Sequence, residues 1–441
     1  MELIELEITN VAHGGIFVAR HEGRVVFVSD AVDGERVLAQ VTDSKQKSFW
    51  RATTVEVLEA SKHRQPHVWS ASALDRAPDE RAGGAEFGHI TLAHQRELKA
   101  QVLTEALERF AGLSFESGQT SSGISTPVVE GLPGDDETNG TRWRTRVSLH
   151  VGQDGRVGPY AARSHNIITV RDLPLAVEAI EGLAPLSQRL TPGSRVDLVA
   201  PSIGGARISI VDPVDPAKKK RTKSKASGPV AVPKLKNRAD IREVVGDREF
   251  TLAENGFWQV HRGAAEALSS AVAGMIDADL FDVRAANHDL YGGVGLLAAA
   301  MGDRFGSTTR MTSVESSDEA TEFAANNLAD WVGSRVLTGR VDHYLADISG
   351  LLSPADRKAW NAATVILDPP RSGAGKDVVA SLGELSPAQL IYVACDPVAF
   401  ARDAGYLREL GYVLADLRAF DLFPNTHHVE AVGRFIRASE G

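Results

Sequence analysis

Apolar positions recur with two different periods along this chain, and the change of period divides it. Up to about residue 60 they alternate with polar ones, and residues 5–8, 15–18, 24–28, 35–41 and 50–58 read as short strands. Gly14-Gly15, Glu22-Gly23 and Asp33-Gly34 supply the turns between them. Closely spaced strands of this kind predict a small β-barrel over 1–60. The stretch 61–238 is mixed. Residues 90–113 have helical spacing, 114–140 are rich in Gly, Ser, Pro and acids, and 142–151, 156–161 and 167–170 read as antiparallel strands. A middle α+β domain is expected there. From 239 to 441 strands and helices alternate, the signature of a doubly wound α/β sheet.

The details of that last part matter most. Residues 287–290 form a strand, Tyr291-Gly292-Gly293-Val294-Gly295 a glycine-rich turn, and 296–301 the start of a helix. The next strand, 311–315, carries Glu315 at its carboxyl end. A buried strand at 363–367 runs into Asp368-Pro369-Pro370-Arg371, and another at 389–393 into Ala394-Cys395-Asp396-Pro397. A helix follows at 398–410, and a final strand at 431–436 is preceded by Glu430. In open α/β sheets ligands lie outside the carboxyl ends of the strands, so Glu315, Asp368 and Cys395 are expected to face one crevice. The glycine turn with Glu315 fits either a nicotinamide dinucleotide or S-adenosylmethionine, and an acid at that place accepts hydrogen bonds from ribose hydroxyls.

Composition narrows the picture. The chain has 441 residues, a net charge of −10 and a single cysteine. One cysteine excludes an intrachain disulfide and any cluster held by several thiolates, and suits a reducing, cytoplasmic setting. The first seven residues lack the basic start of a signal peptide, and no apolar run is long enough to span a membrane. No metal site is expected, and a monomer is the default. The negative charge means that nucleic-acid binding has to use local basic patches. Three are available: Lys45, Lys47, Arg51, Lys62 and Arg64 near the end of the barrel; Arg142, Arg144 and Arg146, which a strand would put on one face; and the Lys218–Lys225 run inside a flexible linker at 213–237. The first two read equally as solvated faces, and a run like the third is more often only a solvated tether.

Cys395 stands between a strand end and a helix N-terminus, with Asp396 as N-cap and Pro397 at the first helical position. Unpaired N–H groups there lower a thiol pKa from about 8.5, which makes Cys395 a candidate nucleophile.

With these residues placed, the chain resembles the S-adenosylmethionine-dependent RNA uracil-5-methyltransferases, which make 5-methyluridine. The resemblance runs from Gly256 onward. It is carried by Gly256-Phe257-Trp258-Gln259-Val260, Asp289-Leu290-Tyr291-Gly292-Gly293-Val294-Gly295, Asp368-Pro369-Pro370-Arg371, Ala394-Cys395-Asp396-Pro397, and Phe423-Pro424-Asn425-Thr426-His427-His428-Val429-Glu430, in the family's order. The first 60 residues also look like the TRAM domain, an OB-like RNA-binding barrel. The resemblance implies a class I (Rossmann-like) methyltransferase domain at 239–441. It makes Cys395 the nucleophile and Glu430 the proton acceptor. Gln259, Tyr291, Gly293, Gly295, Glu315, Asp347 and Asp368 fall where the family binds S-adenosylmethionine. The implied partner is RNA, with ribosomal RNA placed ahead of tRNA because a barrel and a long middle domain suit a structured target.

Four departures stand out. Residues 83–89 lack the cysteines that hold an iron–sulfur cluster in some members, so no cluster is expected. Gly292 replaces a common cysteine, a change the turn should tolerate. His261 replaces a frequent asparagine. Asp396 replaces an asparagine, and its charge is expected to oppose thiolate formation. Two other readings stay open. A nicotinamide-dependent oxidoreductase accounts for the glycine turn but gives Cys395 and Glu430 no role. A non-catalytic RNA-binding protein that has kept the fold needs neither residue. An amino-methylating enzyme fits less well, because Arg371 stands where an aromatic platform is needed.

Overall fold

The computed structural model describes residues 2–46, 48–115, 118–120, 123–162, 164–213, 240–350 and 352–438. The lysine-rich run at 218–225, with nearly all of the linker expected at 213–237, lies outside the described residues, as does Lys47.

Period-two alternation closes the first unit into a barrel. Its strands are β1 (Leu3–Ala12), β2 (Ile16–His21), β3 (Arg24–Ser29), β4 (Arg36–Asp43) and β5 (Phe49–Glu59), in the order β1-β2-β3-β5-β4. Ile4, Leu6, Ile8, Phe17, Val26, Val28 and Val37 point inward and are buried. Phe87, Ile90 and Leu98, which come after the barrel, share its core, so the barrel is docked rather than tethered. Of its basic cluster, Arg64 is committed elsewhere. Its guanidinium forms a bidentate pair with buried Glu35 and donates to the Asp30 carbonyl.

Helix α1 (Leu92–Ala106) and strand β6 (Val129–Glu130) come next, followed by the four strands β7 (Arg146–Val151), β8 (Val157–Gly158), β9 (Arg195–Val199) and β10 (Arg207–Val211). These last four pair antiparallel in the order β10-β9-β7-β8 over a core that includes Trp143, Leu149 and Leu198. Residues 167–170 make only an isolated bridge, Tyr160 to Ile167. The three arginines do not share a face. Arg142 has φ +61°, which breaks the strand alternation before β7 begins. It pairs with Glu181, Arg144 donates to the Arg146 carbonyl, and Arg146 donates to the Glu254 and Gly256 carbonyls.

The third layer is built on an eight-stranded sheet. A hairpin of β11 (Asp240–Val245) and β12 (Arg248–Ala253) and helix α2 (Ala264–Met275) lead into it. The sheet strands are β13 (Asn287–Leu290), β14 (Met311–Glu315), β15 (Ser334–Thr338), β16 (Thr364–Leu367), β17 (Gln389–Ala394), β18 (Tyr412–Phe420) and β19 (Glu430–Arg437), with β6 at the edge. Their order is β15-β14-β13-β16-β17-β19-β18-β6, and only β19 runs antiparallel to its neighbours. Four further helices matter below: α3 (Leu296–Phe305), α4 (Asp318–Asn327), α5 (Val341–Ser349) and α6 (Pro397–Glu409). Two pieces of the stretch read as a middle domain thus belong physically to this layer. Strand β6 pairs with β18, and Leu103, Ala106 and Leu107, at the end of α1, pack in one core with Phe400, Ala404 and Leu407 of α6. Among the described residues no helix is long and apolar enough to cross a membrane.

Candidate active site

Sheet order decides which side chains meet. Strand β13 sits between β14 and β16, so the chain leaves it in opposite directions and a crevice opens at the carboxyl ends. Tyr291 follows β13 at φ +64°, and Gly293 and Gly295 take φ +54° and +93°. Left-handed backbone at these places is why glycine recurs, and it brings bare N–H groups toward the crevice. The Gly293 N–H donates to Glu315 at 3.3 Å, and Glu315 also accepts from the Ser317 N–H at 2.8 Å. Gly292 is more constrained than the turn alone suggests. A β-carbon there would lie 2.1 Å from Ser313 Oγ and 2.9 Å from Asp289 Oδ2, so in this chain a cysteine at 292 requires Ser313 to turn away.

Three carboxylates ring that turn. Asp289 is wholly buried, accepts from the Ala298 N–H with one oxygen and leaves the other without a partner. Burial, followed by the charges of Asp368 and Glu315, pushes its pKa up to about 7. Burial alone takes Asp368 to about 7 as well. Gln259 is half-buried between β12 and α2, beside Trp258 and next to Phe257, whose ring is 74% exposed. Asp347 is not brought to this place. It is exposed on the body of α5, whereas Asp342, in the first turn of that helix, is close enough to raise the Tyr291 phenol. Helix phase explains the difference, since five residues turn a side chain away from the face it started on.

The other half of the crevice is fixed by register. Ala394 of β17 lies opposite Ala431 of β19. Cys395 and Glu430 each stand one residue beyond that last pair, and Glu430 is close enough for its charge to act on the thiol. Glu430 is buried, and its pKa is raised well above the usual range by burial and then by Asp368, against Arg371. Cys395 is half-buried, and its thiol is pushed up to about 12 by burial, then by Glu430 and Asp368. The expectation of a helix-lowered thiol is therefore reversed in the ligand-free protein, because desolvation and two carboxylates outweigh the helix end. Asp396 is not the cause. Its Oδ1 caps α6 by accepting from the Ala399 N–H at 2.8 Å, and its Oδ2 pairs with His13 Nε2 at 3.2 Å.

The segment 421–430 that carries Glu430 is clamped by residues the sequence did not single out. Lys99 Nζ donates to Asp421 at 2.5 Å and to the Phe423 carbonyl, both groups fully buried. Gln95 exchanges hydrogen bonds with Asn425, whose φ is +63°. His261 is a pin rather than a ligand-facing residue, bonded to Asp135 and stacked on Trp143. A cavity of about 140 Å³ opens between Cys395, Arg371, His427 and His428 on one side and the barrel turn 11–15 on the other.

A sheet of this order, with a glycine turn after the central strand and acids closing the two flanking strands, is that of the class I methyltransferase fold. The TRAM domain profile matches residues 2–49, and that of the tRNA (uracil-5-)-methyltransferases matches 345–438. An uncharacterized RNA methyltransferase of Streptomyces avermitilis is 36% identical over 453 residues, covering 100% of this chain and 99% of that protein. One from Corynebacterium efficiens is 33% identical, covering 99% and 96%. The crystal structure of Pyrococcus abyssi tRNA (uracil-54, C5)-methyltransferase with S-adenosyl-L-homocysteine superposes with a TM-score of 0.66 at 18% identity, over 98% of this chain and 100% of that one. The chain belongs to the tRNA (uracil-5-)-methyltransferase family, and it is an S-adenosylmethionine-dependent RNA methyltransferase.

Proposed function

We propose that the protein methylates carbon 5 of a loop or flipped-out uridine in structured RNA through a covalent cysteine adduct. One observation supports this: the only thiol and a buried glutamate come at the ends of two paired strands, near enough for the glutamate's charge to raise the thiol, beside a glycine turn ringed by carboxylates. That ring fits the methyl donor. Glu315 suits ribose hydroxyls, and Asp289, Asp368 and the first-turn Asp342 suit a cationic ligand better than a pyrophosphate, which disfavours a nicotinamide cofactor. Gln259, Tyr291, Gly293 and Gly295 complete the proposed pocket, with Asp342 in place of Asp347.

Uracil carbon 5 is too weak a nucleophile to take a methyl group unaided. Cys395, once ionised, adds to carbon 6 and turns carbon 5 into an enolate-like centre. Bound S-adenosylmethionine supplies the electrophilic methyl group as a sulfonium. Glu430 then takes the carbon 5 proton, and the electron pair left behind expels the Cys395 thiolate from carbon 6. Burial suits Glu430 to this work, since a raised pKa makes a stronger base. Exposed Phe257 offers a stacking face for an unpaired base.

The argument for ribosomal RNA does not survive the comparison. The Pyrococcus enzyme, which carries tRNA in its name, matches this chain along its whole length, so the barrel and middle region do not separate the two targets. Mass-spectrometric mapping of 5-methyluridine in a deletion strain assigns the RNA. Loss of no site would favour a non-catalytic RNA-binding role. RNA carrying 5-fluorouridine at the mapped position, which has no proton for Glu430 to take, is expected to trap a band stable to denaturing gel electrophoresis. Its absence would remove the covalent step.

A further inference from the structure

The barrel reaches the nucleophile. Its β1–β2 turn forms one wall of the cavity beside Cys395, and contact there is close: a β-carbon on Gly15 would lie 2.6 Å from His427 Cβ. Gly15 also has φ +69°, so backbone conformation and space both require glycine at that point. The next side chain but one, His13, is the barrel group that meets the nucleophile's turn, its Nε2 lying 3.2 Å from Asp396 Oδ2 as an ion-pair contact. Since Asp396 Oδ1 already holds the first turn of α6, the residue next to Cys395 is met from two sides, by the helix at one oxygen and by the barrel at the other.

We propose that His13 is a positioning residue for methyl transfer: its contact with Asp396 latches the barrel over the nucleophile's turn, so that the barrel completes the nucleotide pocket as well as attracting RNA. The inference rests on Cys395 being the nucleophile. It gives Asp396 a purpose that an N-cap alone does not, because a carboxylate offers a charged acceptor to the imidazole while keeping an oxygen for the helix. His13 is 42% exposed, so its replacement leaves the barrel core untouched.

The test compares His13→Ala with His13→Gln, which keeps a side-chain N–H donor. Under the proposal, His13→Ala lowers kcat on RNA about tenfold while the Kd for RNA moves less than twofold, and His13→Gln stays within about threefold of wild type. A barrel that only tethers RNA gives the opposite split: raised KM and Kd with kcat unchanged. That result would overturn the proposal. A second readout needs no methylation. Cys395 is the only thiol, so its alkylation rate is read on the whole protein. The ratio of rates for a bulky maleimide and iodoacetamide cancels ionisation and reports access alone. It rises at least threefold in His13→Ala and not in His13→Gln if the latch exists, and an unchanged ratio in His13→Ala rejects the latch. Should wild-type protein fail to methylate uridine, the alkylation arm still judges the latch separately from the reaction.

Discussion

A thiol held at about 12 and a buried glutamate beside it, its pKa raised as well, both give up their protons only as pH rises. Below its pKa, each unit of pH raises the thiolate fraction tenfold, so single-turnover methyl transfer is expected to climb with a log slope near +1 from pH 6.5 to 9. A plateau before pH 8 would mean that bound donor and RNA relieve the burial. Glu430→Gln separates its two influences. The charge that helps to raise the Cys395 thiol is gone, so iodoacetamide labelling at pH 9 speeds up, whereas methylation falls by about 10²–10⁴ if Glu430 is the proton acceptor proposed above. If labelling slows, the two side chains do not meet. Asp289 makes a stability prediction whose sign is fixed. Its folded pKa near 7 lies above the unfolded value of about 3.9, so the native state holds the proton more tightly and loses stability as pH rises from 4 past 7. Asp289→Asn therefore raises stability at pH 8 by an amount on the order of 2–4 kcal/mol, read as a higher melting temperature, and leaves it unchanged at pH 4.

At the scale of elements, the clamp on the 421–430 segment couples stability to the site. Lys99→Met takes the hydrogen-bonded cation from buried Asp421 and leaves it only Arg96, 3.6 Å from its other oxygen, a loss of about 3 kcal/mol, and adding Asp421→Leu recovers part of it. Thermal melts of the two single variants and the double variant read this directly, and equal melting of Lys99→Met and wild type would refute it. No sequence pattern announces such a pair, since its members stand 322 residues apart. The contrast with what was legible is physical. Barrel strands declare themselves by alternation, the turn at 291–295 by glycines that the backbone needs, and Cys395 by strand, cap and proline in succession. Periodicity also showed that α1 has an apolar face. It did not show that the partner is α6, because an apolar stripe fits any apolar surface. Arg142, Arg144 and Arg146 misled because one positive φ at Arg142 ends the alternation that the spacing assumes. The thiol pKa misled for a similar reason: a helix end is local and readable, whereas the carboxylates opposing it arrive from two other strands.

For the whole molecule, a net charge of −10 means that RNA has to be drawn to particular places rather than to the surface at large. The barrel offers one. Phe27 and Phe49 meet edge to face at 5.5 Å, Arg51 lies 5.6 Å from the Phe49 ring, and Arg24 lies 4.8 Å over Trp50. Rings with cations beside them are the means by which single strands are held without reading sequence. Strand β2 connects this patch to the turn that walls the cavity, and its six residues span about 20 Å at 3.3 Å each, room for a few nucleotides running from the barrel face to Cys395. Phe49→Ala is therefore expected to weaken RNA binding by about 1–3 kcal/mol, the worth of one stacked base, which is roughly 5- to 150-fold in Kd. Arg51→Ala is expected to lower the salt dependence of binding by about one phosphate contact. Neither change should alter S-adenosylmethionine affinity by calorimetry, because none of the residues of the proposed donor pocket belongs to the barrel. If both variants bind RNA as wild type does across 50–200 mM salt, the strand approaches by another face, and the barrel's part in the reaction shrinks to its turn.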